Sequence, residues 1–235
     1  MKVLAIEQNS EAWLDFRRGK IGGSKAKGIK PLKTGKFKGQ VSGSAGFWDL
    51  LAERVSIAKD GESDMDRGHR LEPLGNKLTN DKYKLNLCWK TEEDLIGCGI
   101  WVSDDKEDMY ISPDSAEKGD KPTYANETKA FGTAKHLRIM YEDMQAKKKE
   151  DYNSLNSLPV DNQDQAIDYF VINKDMKTLY WTIINDMVAF KNLEHYVIVI
   201  KREDVQNRID DLETIQHTTL NQLDAMLENI ENWGN

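Results

Sequence analysis

The chain has 235 residues, of which 39% are hydrophobic and 31% charged, a composition typical of a globular protein with room for one large domain. No apolar run approaches the ~20 residues that span a bilayer, and an early acid interrupts any signal-peptide core, so we expect a cytoplasmic protein with no membrane partner. Two cysteines cannot form a four-thiolate metal site and are predicted to be buried and reduced. The four histidines lack zinc-motif spacing, so any metal is expected to be held by oxygen ligands, which suit Mg²⁺ or Mn²⁺.

The charge is unevenly distributed along the chain. The net charge is −7, yet no acidic residue occurs between Phe16 and Trp48. That stretch contains nine basic residues: Arg17, Arg18, Lys20, Lys25, Lys27, Lys30, Lys33, Lys36 and Lys38. Such a basic segment could neutralise phosphates within an acidic protein. The alternative is a solvated lysine-rich loop, which is the usual role of a charge run.

The N-terminal quarter is predicted to be helical with a basic loop. Ser10 has the position of a helix cap before an apolar run that reaches Phe16. The turn at 21–24 either starts a helix at Ser24, with N–H groups and a hydroxyl free to hold a phosphate, or is an ordinary turn with a capping serine. Residues 31–45 are predicted to form a long loop, and helical periodicity returns over 47–55.

The middle of the chain alternates between helix and strand patterns. A helix is expected over 63–84, with a kink or restart near Glu72 because proline follows it directly. Strands are expected at 95–102, at 109–111 and, with a weakly apolar pattern, at 122–129, and 115–121 is predicted to be a loop. Helices at 131–149, 161–170 and 202–233 and strands at 178–184 and 195–200 complete a mixed α/β domain, with a central sheet flanked by helices.

One of three acid-x-Lys triplets in the chain has a partner. Asp104 and Asp175 begin triplets in turns, whereas Glu127-Thr128-Lys129 follows the strand-end sequence Ser112-Pro113-Asp114. Strand residues i and i+2 point to the same face, so Glu127 and Lys129 can converge on one water molecule. We therefore expect a site that holds Mg²⁺ and activates water against a phosphodiester.

The predicted ligands come from three segments. Asp114, Glu127 and the backbone carbonyl of Thr128 are expected to coordinate one or two Mg²⁺ ions, and Glu72 to complete the site from its helix. Lys129 is expected to orient or deprotonate the attacking water and to stabilise the developing charge.

The order of these and further motifs resembles the phage lambda exonuclease (alkaline exonuclease, viral recombinase) family of PD-(D/E)XK nucleases. The resemblance covers about residues 6–200 and rests on Glu7-Gln8, Ala12-Trp13, Phe16 to Ile21, Ser24, Leu50 to Glu53, Gly68 to Pro73, Ser112 to Asp114, Glu127 to Lys129 and Gln163-x-Gln165. It implies a single nuclease domain over 1–235, with a helical part and basic loop at 1–60, a catalytic core at 61–200 and a C-terminal helix at 201–235.

The resemblance also implies residue roles and partners. Glu72, Asp114 and Glu127 match metal-binding acids, and Lys129 matches the catalytic lysine. Arg17, Ser24 and Ser112 match positions that hold a 5′-terminal phosphate. One of Gln163 and Gln165 matches an active-site glutamine, and Gln163 is preferred here. The family degrades one strand of duplex DNA from its 5′ end as a homotrimer and works with a single-strand annealing protein in phage recombination.

Two other functions are compatible with the sequence. The first is another PD-(D/E)XK nuclease, such as a flap or restriction endonuclease. The second is a non-catalytic DNA-binding or structural phage protein, in which the acids would be solvated surface charge.

Overall fold

The computed structural model describes residues 1–34, 38–41, 44, 46–47, 50, 66–88, 99–131, 133–186, 188 and 191–231. Most of the helix predicted over 47–55, the start of the strand predicted at 95 and part of the basic loop lie outside these residues.

A four-stranded sheet combines two strands from the N-terminal region with two strands from residues 100–111. Its strand order is β1 (Lys2–Leu4), β4 (Ile100–Val102), β5 (Met109–Ile111) and β2 (Ile21–Gly22). Helix α1 (Glu11–Arg17) begins as predicted, because the Ser10 hydroxyl oxygen accepts a hydrogen bond from the Trp13 N–H at 3.2 Å. Strand β2 leads directly into the short helix α2 (Gly23–Ala26), whose N-cap is Gly22. The expected cap at Ser24 is therefore wrong, since Ser24 lies inside the helix.

A five-stranded mixed sheet forms the centre of the molecule. Its strand order is β3 (Leu87–Cys88), β6 (Ser115–Glu117), β7 (Tyr124–Ala130), β8 (Thr178–Ile184) and β9 (His195–Lys201). Strands β7 and β8 are parallel, and the other neighbours are antiparallel. The loop prediction for 115–121 is wrong at its start, because β6 pairs with β7 through Ser115–Asn126 and Ala116–Ala125, and all four residues are fully buried.

Within the described residues, four longer helices flank the sheets: α3 (Asp66–Tyr83), α4 (Thr133–Ala146), α5 (Val160–Ile172) and α6 (Gln206–Glu231). Helix α3 continues through Pro73, so the predicted restart is not observed. It packs on β7 and β8, and the approach to β7 is close at Gly75, where a Cβ atom would lie 2.5 Å from Thr128 Cγ2. This contact fixes α3 against the strand that bears Glu127 and Lys129.

The main hydrophobic core joins the two sheets. It contains Ile21, Trp101 and Ile111 from the smaller sheet together with Trp181 and Ile198 from the larger one. The α/β prediction with a mixed sheet and flanking helices is thus confirmed.

Two further expectations from the sequence concern the redox state of the cysteines and the possibility of a membrane span. Cys88 is 3% exposed and disulfide-bonded, so the prediction of reduced thiols is wrong for this residue. Within the described helices, none has the length and apolar character needed to cross a membrane.

Candidate active site

Strand β7 brings Glu127 and Lys129 together. Glu127 is 3% exposed, and its Oε1 accepts a hydrogen bond from the Lys129 ammonium at 2.5 Å. The two residues share a strand face, as their i, i+2 spacing predicts. Asp114 stands immediately before β6, and its Oδ2 accepts a hydrogen bond from the Thr128 N–H at 2.7 Å. The acid, the acid-x-Lys triplet and the strand end therefore form one cluster.

The position of the Thr128 carbonyl follows from the same contact. The β6–β7 pairing runs only as far as Asn126, and beyond it the side chain of Asp114 takes the place of a strand partner for Thr128. In an extended strand, the N–H and C=O of one residue point to the same edge. The Thr128 carbonyl thus lies on the edge of β7 that faces Asp114, as a metal ligand would require.

Glu72 enters the cluster from α3. Glu72, Asp114, Thr128 and Lys129 line a cleft of about 390 Å³. Burial alone would lower the pKa of Lys129, but the negative charges of Glu127, Asp114 and Glu72 and the hydrogen bond to Glu127 raise it above its usual value. Three carboxylates therefore act on one ammonium group.

This donor set fits a hard divalent cation. It offers carboxylate oxygens and one carbonyl oxygen, which are the ligands that Mg²⁺ and Mn²⁺ prefer. Like charges gathered at a cleft repel one another, and a bound cation would relieve that repulsion. Among the described residues, only Asp105, Glu213 and His217 form a group of three candidate ligands whose atoms all lie within 4.8 Å of one another, so Glu72, Asp114 and Glu127 are spaced more widely. At that other group, Lys174 already forms ion pairs with both acids.

Helix α5 supplies two donors to Glu127. The Gln165 side-chain amide donates to Oε1 at 2.7 Å, and the fully buried Tyr169 hydroxyl donates to Oε2. Gln163, the preferred active-site glutamine, instead donates to the Leu158 carbonyl at 3.1 Å and does not line the cleft. Gln165, and not Gln163, therefore contacts the acidic cluster.

The same cleft contains the predicted phosphate-binding residues. The Arg17 guanidinium donates to the Ser24 hydroxyl at 3.2 Å and to the Tyr110 hydroxyl at 3.0 Å. Arg17 also lies 3.9 Å from the centre of the Trp13 ring, a cation–π contact. Arg17, Ser24 and Ser112 all line the same cleft as the acids.

Ser112 is oriented by two residues without a predicted role. Its hydroxyl oxygen accepts hydrogen bonds from Gln8 Nε2 and Trp13 Nε1, each at 3.0 Å. Because both contacts use the oxygen as acceptor, the hydroxyl proton is left to be donated elsewhere. Gln8 also donates to the Pro113 carbonyl at 3.1 Å and so fastens the segment that leads to Asp114.

Sequence reasoning missed Tyr169, although a signal existed. Residues i and i+4 of a helix share a face, and Tyr169 is four residues after Gln165. Once Gln165 is the residue at the site, helical periodicity places Tyr169 beside it.

Comparison with known proteins finds similar structures but no similar sequences. No protein-family profile matches the chain, and no curated protein matches it in sequence. The alkaline exonuclease LHK-Exo from Laribacter hongkongensis has a TM-score of 0.68 and 17% identity, with 95% of this chain and 97% of that chain covered. LHK-Exo in complex with dAMP gives a TM-score of 0.67 with the same identity and coverage.

A phage-related exonuclease from Haemophilus somnus 129PT is also similar in structure. Its TM-score is 0.58 at 14% identity, with 90% of this chain and 96% of that chain covered. At such identities the similarity establishes the fold. The fold implied by the sequence resemblance is therefore confirmed over nearly the whole chain.

Proposed function

We propose that the protein is a metal-dependent deoxyribonuclease that degrades one strand of linear double-stranded DNA from its 5′ end. The single observation that supports this most is the meeting of two groups in one cleft. Two of the three acids and Lys129 line the same cleft as Arg17, Ser24 and Ser112, and the third acid, Glu127, is hydrogen-bonded to Lys129. A cation site next to an anion site suits a phosphodiester near a phosphorylated DNA end. The fold shared with two exonucleases supports the same reaction class.

Each residue of the acidic cluster has a role in this proposal. Glu72, Asp114, Glu127 and the Thr128 carbonyl would hold Mg²⁺, with Mn²⁺ as an alternative. Bound Mg²⁺ would supply Lewis-acid stabilisation of the charge on the phosphate. Lys129 would orient the attacking water and stabilise the developing negative charge.

The supporting residues keep the acid fixed. Gln165 and Tyr169 hold the two oxygens of Glu127, so the carboxylate need not reorganise during the reaction.

The 5′ direction rests on the predicted phosphate-binding residues Arg17, Ser24 and Ser112. Arg17 would bind the terminal phosphate through charge-assisted hydrogen bonds, and the hydroxyls of Ser24 and Ser112 would donate to its oxygens. The basic segment after Phe16 would add charge that attracts the duplex. Digestion from this end leaves 3′ single-stranded overhangs, which are substrates for recombination by strand annealing.

The decisive experiment varies the DNA end. Linear duplex with a 5′ phosphate, linear duplex with a 5′ hydroxyl and closed circular duplex are incubated with the protein, with and without Mg²⁺. We expect Mg²⁺-dependent digestion, fastest on the 5′-phosphorylated duplex and absent on the circle. The Lys129→Ala variant, purified in parallel, controls for contaminating nucleases and is expected to bind DNA without cutting it.

The alternatives give different results in the same assay. Equal attack on the circle indicates an endonuclease of the same fold. DNA binding without digestion under any condition indicates a non-catalytic DNA-binding protein.

The wider biological setting is proposed from the family resemblance. We propose one nuclease domain over residues 1–235 that acts as a homotrimer in the host cytoplasm with a single-strand annealing protein. Light scattering of the purified protein measures the mass of the assembly, and a monomer would contradict this part of the proposal.

A further inference from the structure

Asn76 connects the three segments that bear the acids. It lies in α3, one turn after Glu72, and is 1% exposed. Its Nδ2 donates to the backbone carbonyl of Asp114 at 3.3 Å. Its Oδ1 accepts from the Ser115 hydroxyl at 3.0 Å and from the Thr128 hydroxyl at 3.1 Å. One amide therefore bridges α3, the residue before β6 and the strand β7.

The bridge is part of a longer buried network. The Asn126 amide donates to Asn76 Oδ1 at 2.6 Å, and Asn126 Oδ1 accepts from the Thr182 hydroxyl at 2.5 Å. Thr182 and Thr79 hydroxyls lie 2.6 Å apart, and Thr79 lies 2.9 Å from His195 Nε2. This network explains why polar residues occupy fully buried positions 115, 126 and 182 of the central sheet.

The network has one consistent direction of donation. The Thr182 proton goes to Asn126, so Thr79 must donate to Thr182 and accept from His195. Burial lowers the pKa of His195 to about 4, with smaller contributions from the positive charges of Lys82 and His136, and the ring is neutral at physiological pH. These hydroxyl and amide groups thus satisfy one another, and a satisfied network of this kind fixes a unique arrangement.

We propose that Asn76 is a positioning residue that fixes the Asp114 backbone and strand β7 relative to α3, the helix that carries Glu72, so that the acids can bind a divalent cation. This inference rests on the proposed function for the nature of the site and adds a residue outside the ligand set. Asn76 contacts no group predicted to react with DNA. Its effect is on the relative placement of the acids, through the Asp114 backbone and the Thr128 side chain.

Residues that hydrogen-bond to metal ligands or to their backbone have a measurable effect on metal binding. Loss of an outer partner of the ligands commonly weakens metal affinity or activity by about 10–100-fold. A residue that contributes only to stability would lower the melting temperature without changing the affinity of the folded protein for the cation.

The test measures Mn²⁺ binding directly by isothermal titration calorimetry, together with the melting temperature in EDTA. Asn76→Ala is expected to weaken Mn²⁺ binding by about 10–100-fold. Ser115→Ala, a smaller change that removes one hydrogen bond to Asn76, is expected to weaken it about fivefold, the equivalent of one such bond. Thr182→Val is the matched control, because it breaks the same network away from Asp114. It should lower the melting temperature and leave Mn²⁺ affinity within about twofold.

Several outcomes would overturn the proposal. The first is that Asn76→Ala folds and binds Mn²⁺ as tightly as the wild type. The second is that Asn76→Ala and Thr182→Val lose Mn²⁺ affinity to the same extent. If Asn76→Ala does not fold, unchanged Mn²⁺ affinity in Ser115→Ala overturns it instead. A wild-type protein that binds no Mn²⁺ also contradicts it. Wild-type protein that binds Mn²⁺ and does not digest DNA contradicts the proposed function alone.

Discussion

The hydroxyl of Tyr169 donates a hydrogen bond to Oε2 of Glu127 inside the protein, while Gln165 and Lys129 donate to Oε1. Burial raises the pKa of Tyr169 well above its usual value, and the negative charges of Glu127, Asp114 and Glu72 raise it further. The tyrosine therefore remains protonated and can serve only as a donor to the carboxylate. Glu127 is held at both oxygens by groups from two elements, β7 and α5.

Replacement of Tyr169 by phenylalanine should free one oxygen of Glu127. A hydrogen bond to a charged group contributes about 1.5–3 kcal/mol, and we expect nuclease activity to fall about 10–100-fold. The measurement is the initial rate on 5′-phosphorylated duplex. Tyr152→Phe is the matched control, since Tyr152 donates to the Asp143 carboxylate at 2.8 Å away from the cleft. Equal activities of the two variants would remove Tyr169 from the site.

The two glutamines of α5 should differ in their effect on activity. Gln165→Ala removes a donor from Glu127 and is expected to lower the rate about 10–100-fold. Gln163→Ala removes only a contact with the Leu158 carbonyl and should leave the rate near that of the wild type. Steady-state rates on duplex DNA separate the two, and the reverse order would restore Gln163 as the active-site glutamine.

Arg17 should determine the preference for a phosphorylated end. We expect Arg17→Ala to reduce the rate advantage of a 5′ phosphate over a 5′ hydroxyl about 10–100-fold, the equivalent of a charge-assisted hydrogen bond. Arg18→Ala provides the control, because Arg18 lies 3.7 Å from Asp15 and does not line the cleft. A preserved advantage in Arg17→Ala would contradict the assignment of the phosphate site.

Stability should depend on pH through Asp168 of α5. This carboxyl group is fully buried, and burial raises its pKa to about 7. The hydrogen bond from Gln216 lowers the pKa, and the negative charge of Asp164 raises it. Between pH 4 and about 7 the folded state thus binds a proton that the unfolded chain has lost, and the free energy of unfolding decreases as pH rises. A carboxyl pKa of about 7 in place of the usual 3.8 corresponds to a difference of about 4 kcal/mol in the free energy of unfolding.

Asp168→Asn should remove this dependence. Urea unfolding at intervals from pH 4 to pH 8 is expected to show the variant gaining on the wild type by up to about 4 kcal/mol. Asp143→Asn is the control: burial alone would raise the pKa of Asp143, but hydrogen bonds from Lys147 and neighbouring hydroxyls lower it overall. Its difference from the wild type should stay constant above pH 5. A constant difference for Asp168→Asn would show that its carboxyl group is not protonated in the folded state.

Local sequence patterns predicted most elements because the relevant interactions are local. The Ser10 cap needs only the next three residues, and the β-branched runs of β8 and β9 need only their own composition. The pairing of Glu127 with Lys129 follows from the two-residue period of a strand. These predictions did not depend on what packs against each segment.

Several other expectations depended on distant partners. Ser115 lies in a polar segment and was therefore predicted to be in a loop. Its strand partner Asn126 and its hydrogen-bond acceptor Asn76 are distant in sequence, so the local pattern does not reveal them. Gln163 and Gln165 are two positions apart on one helix, so they face different directions, and only the packing of α5 decides which reaches Glu127. The sequence patterns assigned no role to Asn76, although it follows Glu72 by four residues and therefore lies on the same helix face.

The close approach of α3 to β7 at Gly75 has a consequence for protein engineering. Replacement of a helical glycine by alanine usually stabilises a protein by about 1 kcal/mol, which makes such positions common targets for thermostabilisation. At residue 75 an added methyl group would lie 2.5 Å from Thr128 Cγ2 and would push the helix away from the strand. Glu72, three residues before Gly75 on the same helix, would then move away from Asp114 and Glu127. Stabilising substitutions should therefore be sought at other positions, because α3 and β7 pack too closely at Gly75 to admit a methyl group.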